Sequence, residues 1–161
     1  MGGPANATWS TNRVAGFVDQ VEAEYPQIEI SSVVNTNVDP AEGLSKFTTA
    51  TSNSPNVDWI YAAYNLLLPP ESIPSAFKDA VYIAGGLEET TIPAVAADRA
   101  AVIPDWPVAM GYIGVMQAIE VLDGGTPAAL TCFPSGILTV DDLGTPIADA
   151  QVFPADYVAG G

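Results

Sequence analysis

Three short and almost continuous apolar runs constrain the fold of this chain more than any other feature. They read VDWIYAAY (residues 57–64), VYIAGG (81–86) and AAVIP (100–104). Strands whose two faces are both covered show such runs, and these strands occur mainly in parallel sheets. An alternating run at 27–35 predicts a further strand, and residues 136–140 predict the last one.

Helical patterns separate the runs. Apolar side chains recur at spacings of three and four, and Pro or Asp residues mark several helix starts. The predicted helices span residues 10–25, 40–53 and 107–122, with a brief helical turn or two at 91–99 and a short helix confined to the later half of 65–80. This alternation predicts an α/β fold, a three-layer α/β/α domain with a mainly parallel sheet and right-handed crossovers.

The last of these helices is apolar almost all the way round. Gly111 and Gly114 predict that it lies close against the sheet, and we expect its large apolar side chains to pack in the core. Gly124 and Gly125 predict its end.

Length and composition fit one domain. The chain has 161 residues, of which 48% are hydrophobic, and this suffices for a core of ordinary single-domain size. We therefore expect a single lobe over residues 1–161, with an irregular tail at 144–161. No apolar run approaches the roughly 20 residues that span a bilayer, and residues 1–10 lack the parts of a signal peptide. Membrane insertion is not expected.

Charge argues against two classes of partner. Four basic against nineteen acidic residues give a formal net charge of −15. A surface of this sign repels nucleic-acid phosphates and anionic lipid headgroups, so neither is an expected partner. The acidity fits a salty habitat as well as it fits the solubility that excess Asp and Glu provide.

The chain has no histidine and a single cysteine, Cys132. His-dependent nucleophiles are therefore excluded, and so are zinc sites built from imidazole or several thiolates. We predict no catalytic residue, no metal and no cofactor. Cys132 lies between apolar residues, and we interpret it as a buried structural thiol.

Several stretches resemble the carboxyl-terminal lobe of type I periplasmic binding proteins, the sugar-type solute receptors of ABC importers. They are RVAGFVDQVEAEYPQIEI, NVDWIYAAYNLL, VYIAGG, AAVIPDWPVAMGYIGVMQAIEVLDGGTP and SGILTVDDL, and they run in the family's order over about residues 10–143. The resemblance implies one lobe of that fold and a ligand-binding role without catalysis.

Two parts of the family's architecture have no counterpart in this sequence. They are the first lobe and the first strand of the present lobe, which the family places centrally in the sheet and which runs into Gly-Gly-Pro, here residues 2–4. We expect an incomplete gene, a deliberately cut fragment, or a truncated paralogue in which its own tail or a second copy fills the sheet gap. Homodimerisation through that gap or edge is the corresponding expectation.

The resemblance assigns ligand-binding roles to seven residues. They are Trp9, Arg13, Tyr64, Asn65, Gly86, Asp105 and Trp106. Arg13 matches an arginine whose planar fork hydrogen-bonds ligand oxygens, and its alternative role is a surface ion pair with a neighbouring carboxylate. Asp105 falls on the family's pocket glutamine, and its alternative role is to complement the dipole of the following helix. Trp9 adds a face for stacking.

The remaining positions depart from the family's pattern. Tyr64 and Asn65 fall on its Asn-Asp pair, with core packing as the alternative for Tyr64. Gly85 and Gly86 fall where sugar receptors place a carboxylate, so the resemblance leaves the site without that acceptor and argues against a simple monosaccharide. Trp106 either joins the ligand or packs on the hinge of the absent lobe.

The resemblance predicts a lobe that binds a sugar or similar small polar molecule and presents it to an ABC permease or a sensor kinase. Its intact parent would be periplasmic or otherwise extracytoplasmic. The alternative is the effector-binding domain of a LacI-type transcription regulator, whose DNA-reading head would be a separate segment. An enzyme on the same fold is the third class, but the chain has no GxGxxG or GxxxxGK phosphate loop.

Overall fold

The computed structural model of the protein describes residues 1–52, 56–133 and 136–145. Its helices are α1 (Thr8–Glu24), α2 (Pro40–Thr51), α3 (Ile92–Ala96) and α4 (Pro107–Leu122), and its strands are β1 (Trp59–Ala62), β2 (Val81–Gly85) and β3 (Ala100–Ile103). The helical segments predicted at 10–25, 40–53, 91–99 and 107–122 and the three apolar strands are therefore confirmed. Residues 65–80 contain three short 3₁₀ turns, at Asn65–Leu67, Pro70–Ser72 and Ser75–Phe77. The predicted irregular tail lies, beyond residue 145, outside the described residues.

The three strands form a parallel sheet in the order β1-β2-β3. Neighbouring residues of β1 face opposite sides of this sheet, as the pleat requires. The Tyr61 ring stacks on Phe17 of α1, whereas Ile60 belongs to the core cluster that contains Phe47 of α2. Helices therefore cover both faces, and the three-layer α/β/α arrangement is confirmed.

Helix α2 begins where the sequence predicts. The Asp39 carboxylate accepts hydrogen bonds from the backbone N–H groups of Ala41 at 2.9 Å and Glu42 at 3.2 Å. Pro40 occupies the first turn, where its missing N–H has no cost. The side-chain cap and the proline together fix this end of the helix.

A glycine sets the distance between α2 and the loop that follows β1. A Cβ atom at Gly43 would lie 1.7 Å from the carbonyl oxygen of Leu67. Only a residue without a Cβ fits at this distance, so the close approach depends on glycine. The contact holds the loop after β1 in place.

The core lies on the face of the sheet that α2 covers. Tyr82, which is 1% exposed, donates a hydrogen bond from its hydroxyl to the carbonyl oxygen of Leu68 at 2.9 Å. This bond satisfies a polar group that would otherwise be costly to bury. The larger members of the core are Phe47, Ile60, Leu68, Leu87, Val95, Val102 and Leu138.

Met1 and Gly2 lie beside β1 and extend the parallel sheet. The Met1 amino group donates to the carbonyl oxygen of Tyr61 at 2.5 Å, and the Ala63 N–H donates to the Met1 carbonyl oxygen at 2.9 Å. On its other side, Gly2 forms a parallel bridge with Asn35. These two residues therefore connect β1 to the segment that ends at Asn35.

The strand predicted at 27–35 is wrong, because only its last residue pairs. Asn35 bridges Gly2, and residues 29–33 make no ladder within the described part of the chain. A strand requires a hydrogen-bonded neighbour, and Met1–Gly2 reaches only the end of this segment. The alternating pattern is therefore present without the strand that it predicts.

The strand predicted at 136–140 is wrong in extent. Leu138 makes one antiparallel bridge with Val102, and a 3₁₀ turn at Val140–Asp142 follows directly. A capping box closes this turn, since the Asp142 carboxylate accepts from both the backbone N–H and the hydroxyl of Thr139. The turn stops the chain from continuing along β3.

Helix α4 does not enter the core, contrary to the expectation from its apolar sequence. None of its residues is buried, and apart from the neighbouring backbone of α4 itself no described atom lies within 4 Å of a Cβ built at Gly111 or Gly114. Tyr112 is 66% exposed. The glycines therefore do not serve close packing in the described part of the chain.

Cys132 is exposed, so the prediction of a buried thiol is wrong. The apolar residues on either side of Cys132 indicated burial, but Cys132 lies in an irregular segment after α4 that does not pack into the core. Among the helices that the structure describes, none combines the length and the apolar character needed to cross a membrane.

Candidate functional site

A cavity of about 380 Å³ opens where the three strands end. The loops that follow β1, β2 and β3 all contribute to it, and this is the edge at which open parallel sheets bind ligands. Its lining consists of Trp9, Arg13, Val38, Tyr64, Gly86, Leu87, Glu88, Asp105, Pro107 and Met110. Five of the seven residues predicted to bind ligand are therefore brought together.

Arg13 and Asp105 form the polar centre of the cavity. One guanidinium nitrogen of Arg13 donates to Asp105 at 2.6 Å and the other at 3.2 Å, in a bidentate pair. The second nitrogen also donates to the carbonyl oxygen of Ala63 at 2.9 Å. These bonds hold the planar fork in a fixed orientation, which is the arrangement that recognises oxygen-rich groups. The sequence analysis gave ligand binding and an ion pair as alternative roles for Arg13. In the structure, Arg13 lines the cavity and also forms an ion pair.

Trp9 supplies an aromatic face at the rim. The Arg13 guanidinium lies 5.6 Å from the centre of the Trp9 ring, and this cation–π contact steadies both groups. The Tyr64 ring meets the same indole edge to face, with 6.2 Å between ring centroids. Trp9 remains 38% exposed, so part of its surface is available to a ligand.

Glu88 is a site residue that the sequence analysis missed. Its carboxylate accepts a hydrogen bond from the Tyr64 hydroxyl at 3.1 Å. Burial, followed by the negative charge of Glu88, raises the pKa of Tyr64 to about 12, so the hydroxyl stays protonated and donates. The available signal was an acidic residue two positions after Gly86, in the loop that ends β2.

Gly86 lets the backbone pass beside the aromatic wall of the cavity. Its φ is +82°, a conformation that glycine adopts without steric cost. A Cβ at this position would also lie 3.1 Å from the Tyr64 ring. Gly86 thus contributes shape rather than a polar group, and Glu88 supplies the acceptor that the glycines lack.

Asn65 lies behind the cavity and not in its lining. It is fully buried, and its amide nitrogen donates to the Thr91 hydroxyl at 2.7 Å. This bond joins the loop after β1 to the start of α3. The structure therefore places Asn65 where it supports the loop that carries Tyr64.

Trp106 also lies outside the lining, although it follows Asp105 directly. Its ring stacks on Phe133 with 5.8 Å between centroids, and its backbone is left-handed with φ at +56°. A non-glycine residue in this region marks a constrained turn. The turn ends β3's loop and starts α4, so Trp106 shapes the entry to that helix.

The site presents acceptors, donors and an aromatic face, but no metal-binding set. Carboxylate oxygens come from Asp105 and Glu88, and N–H donors come from Arg13. No group of three or more Cys, Asp or Glu in the described ranges is arranged to hold a metal ion. This chemistry suits recognition of a small polar molecule by hydrogen bonds and stacking.

Solved structures of solute-binding proteins share this fold. An ABC transporter solute-binding protein from Agrobacterium vitis with bound D-fucose superposes with a TM-score of 0.83 at 19% identity, covering 95% of this chain and 54% of that protein. A sugar ABC transport substrate-binding protein from Bordetella parapertussis gives 0.83 at 16% identity, covering 98% and 54%. A periplasmic solute-binding protein from Actinobacillus succinogenes with bound D-allose gives 0.77 at 16%, covering 88% and 52%.

The fold is therefore that of sugar-type ABC solute-binding proteins, the type I periplasmic binding fold. The chain spans about half the length of these proteins. No family model matches the chain, and no curated protein matches it.

Proposed function

We propose that the chain is the carboxyl-terminal lobe of a receptor that binds a sugar or a similar neutral, hydroxyl-rich molecule in the cavity at the strand ends. The observation that carries this proposal is the convergence of Arg13, Asp105, Glu88 and Trp9 on one cavity. Sugar hydroxyls both donate and accept hydrogen bonds, so they suit a site that offers carboxylate acceptors together with a guanidinium donor. The exposed part of the indole is suited to the apolar face of a sugar ring.

The charge of the site supports a neutral ligand. Arg13 contributes +1, and Asp105 and Glu88 contribute −1 each, so the three groups sum to −1. Because Asp105 already neutralises Arg13, no free positive charge remains to attract an anion. An acidic sugar is therefore disfavoured relative to a neutral one.

Glu88 removes the objection that the sequence raised against a monosaccharide. That objection rested on glycines at the position where sugar receptors carry a carboxylate. Glu88 supplies a carboxylate at the end of β2 and faces the same cavity. Its bond with Tyr64 orients one oxygen, and its other oxygen can accept from a hydroxyl.

The chain spans only about half the length of the similar solved proteins, and this affects the ligand affinity to be expected. Solved proteins of this fold are about twice as long, and ligands of two-lobed receptors are held between lobes that close. One lobe alone buries less of its ligand and makes fewer polar contacts, so we expect weak binding by this chain. An intact parent would act outside the cytoplasm, without catalysis, and deliver its ligand to an ABC permease or a sensor kinase. Homodimerisation remains a separate prediction.

Chemical-shift mapping on the isotope-labelled chain tests the proposal. D-Fucose, D-allose and D-arabinose at tens of millimolar should shift the amide signals of Trp9, Tyr64 and Glu88 in a saturable way. Gluconate at the same concentration should shift them less, because the site carries a net negative charge. Sugar-dependent shifts spread over the whole surface, or absent from these residues, would contradict the proposal.

Variants sharpen this test. Glu88→Gln and Trp9→Ala should each weaken the affinity for the sugar, obtained from the shift titration, by about tenfold. The first variant loses one charged hydrogen bond, and the second loses one stacking face. Glu42→Gln is the matched control, since Glu42 pairs with Lys46 on α2, away from the cavity. Micromolar affinity of this lone lobe for a pentose would also contradict the expectation of weak binding. No observation on the cavity favours the LacI-type alternative, which stays a prediction.

A further inference from the structure

Glu88 is the carboxylate of the cavity that has no cationic partner within the described residues. The salt bridges in this part of the chain join Arg13 to Asp105 and Lys46 to Glu42, and Glu88 takes part in neither. Among the described residues that line the cavity, Arg13 is the only cationic one. Glu88 is partly buried, so water screens its charge less than it screens the charge of a fully exposed group. The loop that ends β2 therefore holds an uncompensated negative charge against the cavity.

The side chains of Tyr64 and Glu88 offer hydrogen-bond acceptors to a ligand. The Tyr64 hydroxyl has one proton, and it donates this proton to a Glu88 carboxylate oxygen at 3.1 Å. The lone pairs of the phenolic oxygen and the second oxygen of Glu88 remain as acceptors. A ligand hydroxyl brings one proton to such a pair, whereas an ammonium group brings three N–H donors and a positive charge. The pair therefore suits an ammonium group better than it suits a hydroxyl.

Two aromatic rings of the lining add to this preference. Trp9 and Tyr64 meet with 6.2 Å between ring centroids and an angle of 81° between ring planes. The faces of such rings carry partial negative charge and attract cations within about 6 Å. The Arg13 guanidinium already makes a contact of this kind with Trp9, at 5.6 Å. Because Tyr64 bonds Glu88 directly, a cation beside that carboxylate also lies close to an aromatic ring.

We propose that the cavity prefers a sugar that carries a protonated amino group, and that this ammonium group donates hydrogen bonds to Glu88 and to the Tyr64 hydroxyl oxygen. The inference rests on the proposed function, which requires only the hydroxyls of the ligand, and it adds one charged group to that ligand. The charged groups of the lining sum to −1, so a single ammonium group brings the occupied cavity to zero. The hydroxyls of the sugar remain available to Arg13 and Asp105.

Chemical-shift titration of the isotope-labelled chain with matched sugars tests this preference. The probes are D-galactose and its analogues with an amino group at carbon 2, 3 or 6, at about pH 6, where amines are protonated. Three positions are used because the orientation of the sugar ring decides which carbon faces Glu88. We expect at least one analogue to bind about tenfold more tightly than D-galactose, the effect of one charge-assisted hydrogen bond in a partly open cavity. Acetylation of that amino group removes its charge and should abolish the gain.

Two charge variants locate the effect. Glu88→Gln keeps the shape of the side chain and removes its charge. Glu89→Gln is the matched control, since it makes the same change at an exposed neighbour outside the described cavity lining. We expect the ratio of amino-sugar affinity to D-galactose affinity to fall to about 1 in Glu88→Gln and to stay at about 10 in Glu89→Gln. The ratio is the quantity to compare, because Glu88→Gln also weakens the binding of the uncharged sugar.

Failure of this inference can be told from failure of the proposed function. If D-galactose binds at the cavity and no amino analogue binds more tightly, the preference for an ammonium group is wrong while the proposed function stands. A ratio that is unchanged in Glu88→Gln, or that falls equally in Glu89→Gln, also overturns the preference, since general attraction to a chain of charge −15 would then explain the gain. If neither D-galactose nor any analogue shifts the signals of Trp9, Tyr64 and Glu88, both are overturned.

Discussion

Arg13 and Asp105, which stand 92 positions apart in the sequence, meet in a bidentate ion pair with nitrogen–oxygen distances of 2.6 and 3.2 Å. The pair joins the first turns of α1 to the loop after β3. It therefore links two distant parts of the chain at the polar centre of the cavity. Geometry of this kind is set by the fold and cannot be read from either residue alone.

Removing the Asp105 carboxylate should cost stability as well as binding. We expect Asp105→Ala to lower the free energy of unfolding by about 1 kcal/mol, a modest loss because both partners are partly exposed. Urea unfolding followed by circular dichroism measures this change. Glu42→Ala breaks an exposed pair on α2 and should have little effect. A loss for Asp105→Ala no larger than that control would contradict the role of the pair.

Two glycines in helices should respond to alanine in opposite ways. Gly43→Ala should destabilise the protein by ~2 kcal/mol or more, because the added Cβ would overlap the Leu67 carbonyl oxygen. Gly16→Ala, in α1, should stabilise it by about 0.5–1 kcal/mol, because no described atom outside the neighbouring backbone of α1 lies within 4 Å of the added Cβ. Denaturant midpoints of the two variants provide the comparison. Shifts of the same sign would refute this reading of α2.

Titration of tyrosine absorbance should reveal the contact between Tyr64 and Glu88. The folded state holds the Tyr64 proton more tightly than the unfolded state does, where the pKa is about 10. Its stabilising contribution is therefore present below pH 10 and is lost as the pH rises through about 12.

Glu88→Gln should lower the pKa of Tyr64, because a neutral amide replaces the negative charge, although burial keeps the value above its ordinary one. The difference between the titration curves of the original chain and the variant isolates this group from the other tyrosines. Tyr64→Phe should abolish the difference. An unchanged curve for Glu88→Gln would show that the two side chains are not in contact in solution.

The buried pair of Asn65 and Thr91 should behave as a structural contact. Thr91→Val keeps the shape of the side chain but removes the acceptor of the Asn65 amide, at a cost of about 1–3 kcal/mol. Thr49→Val, on the exposed face of α2, should change stability by less than about 0.5 kcal/mol. Thermal unfolding measures both. If Thr91→Val proved as mild as Thr49→Val, Asn65 would not depend on this bond.

Local sequence patterns were sufficient for the elements whose signals lie within their own residues. Helix α2 has its cap at Asp39, and β2 is an unbroken apolar run, so periodicity and end signals predicted both. They failed where pairing depends on a distant segment. Residues 27–35 alternate like a strand, yet a strand forms only beside a partner, and Gly2 reaches only Asn35.

In the candidate site too, the sequence predicted single residues but not the contacts between residues that are distant in the chain. The family resemblance placed Arg13 and Asp105 among the candidate ligand-binding residues and left an ion pair of Arg13 as an alternative, but it did not name Asp105 as the partner. Glu88 carried no motif, because its position beside Tyr64 results from how the loop after β2 folds back. The prediction that Cys132 and α4 are buried was wrong. An apolar sequence indicates a preference for burial, but it does not show whether the fold provides a surface to pack against.

The bare apolar side of α4 has a consequence for the protein in solution. In the described part of the chain, Leu122 is 85% exposed and Val115 60% exposed, and the net charge of −15 opposes association through such apolar surfaces. Acidification toward pH 4, close to the sequence pI of about 4.1, brings the net charge near zero and weakens that repulsion. We then expect the protein to aggregate and precipitate while its sheet is still folded. Solubility would therefore be lost at a higher pH than the folded structure.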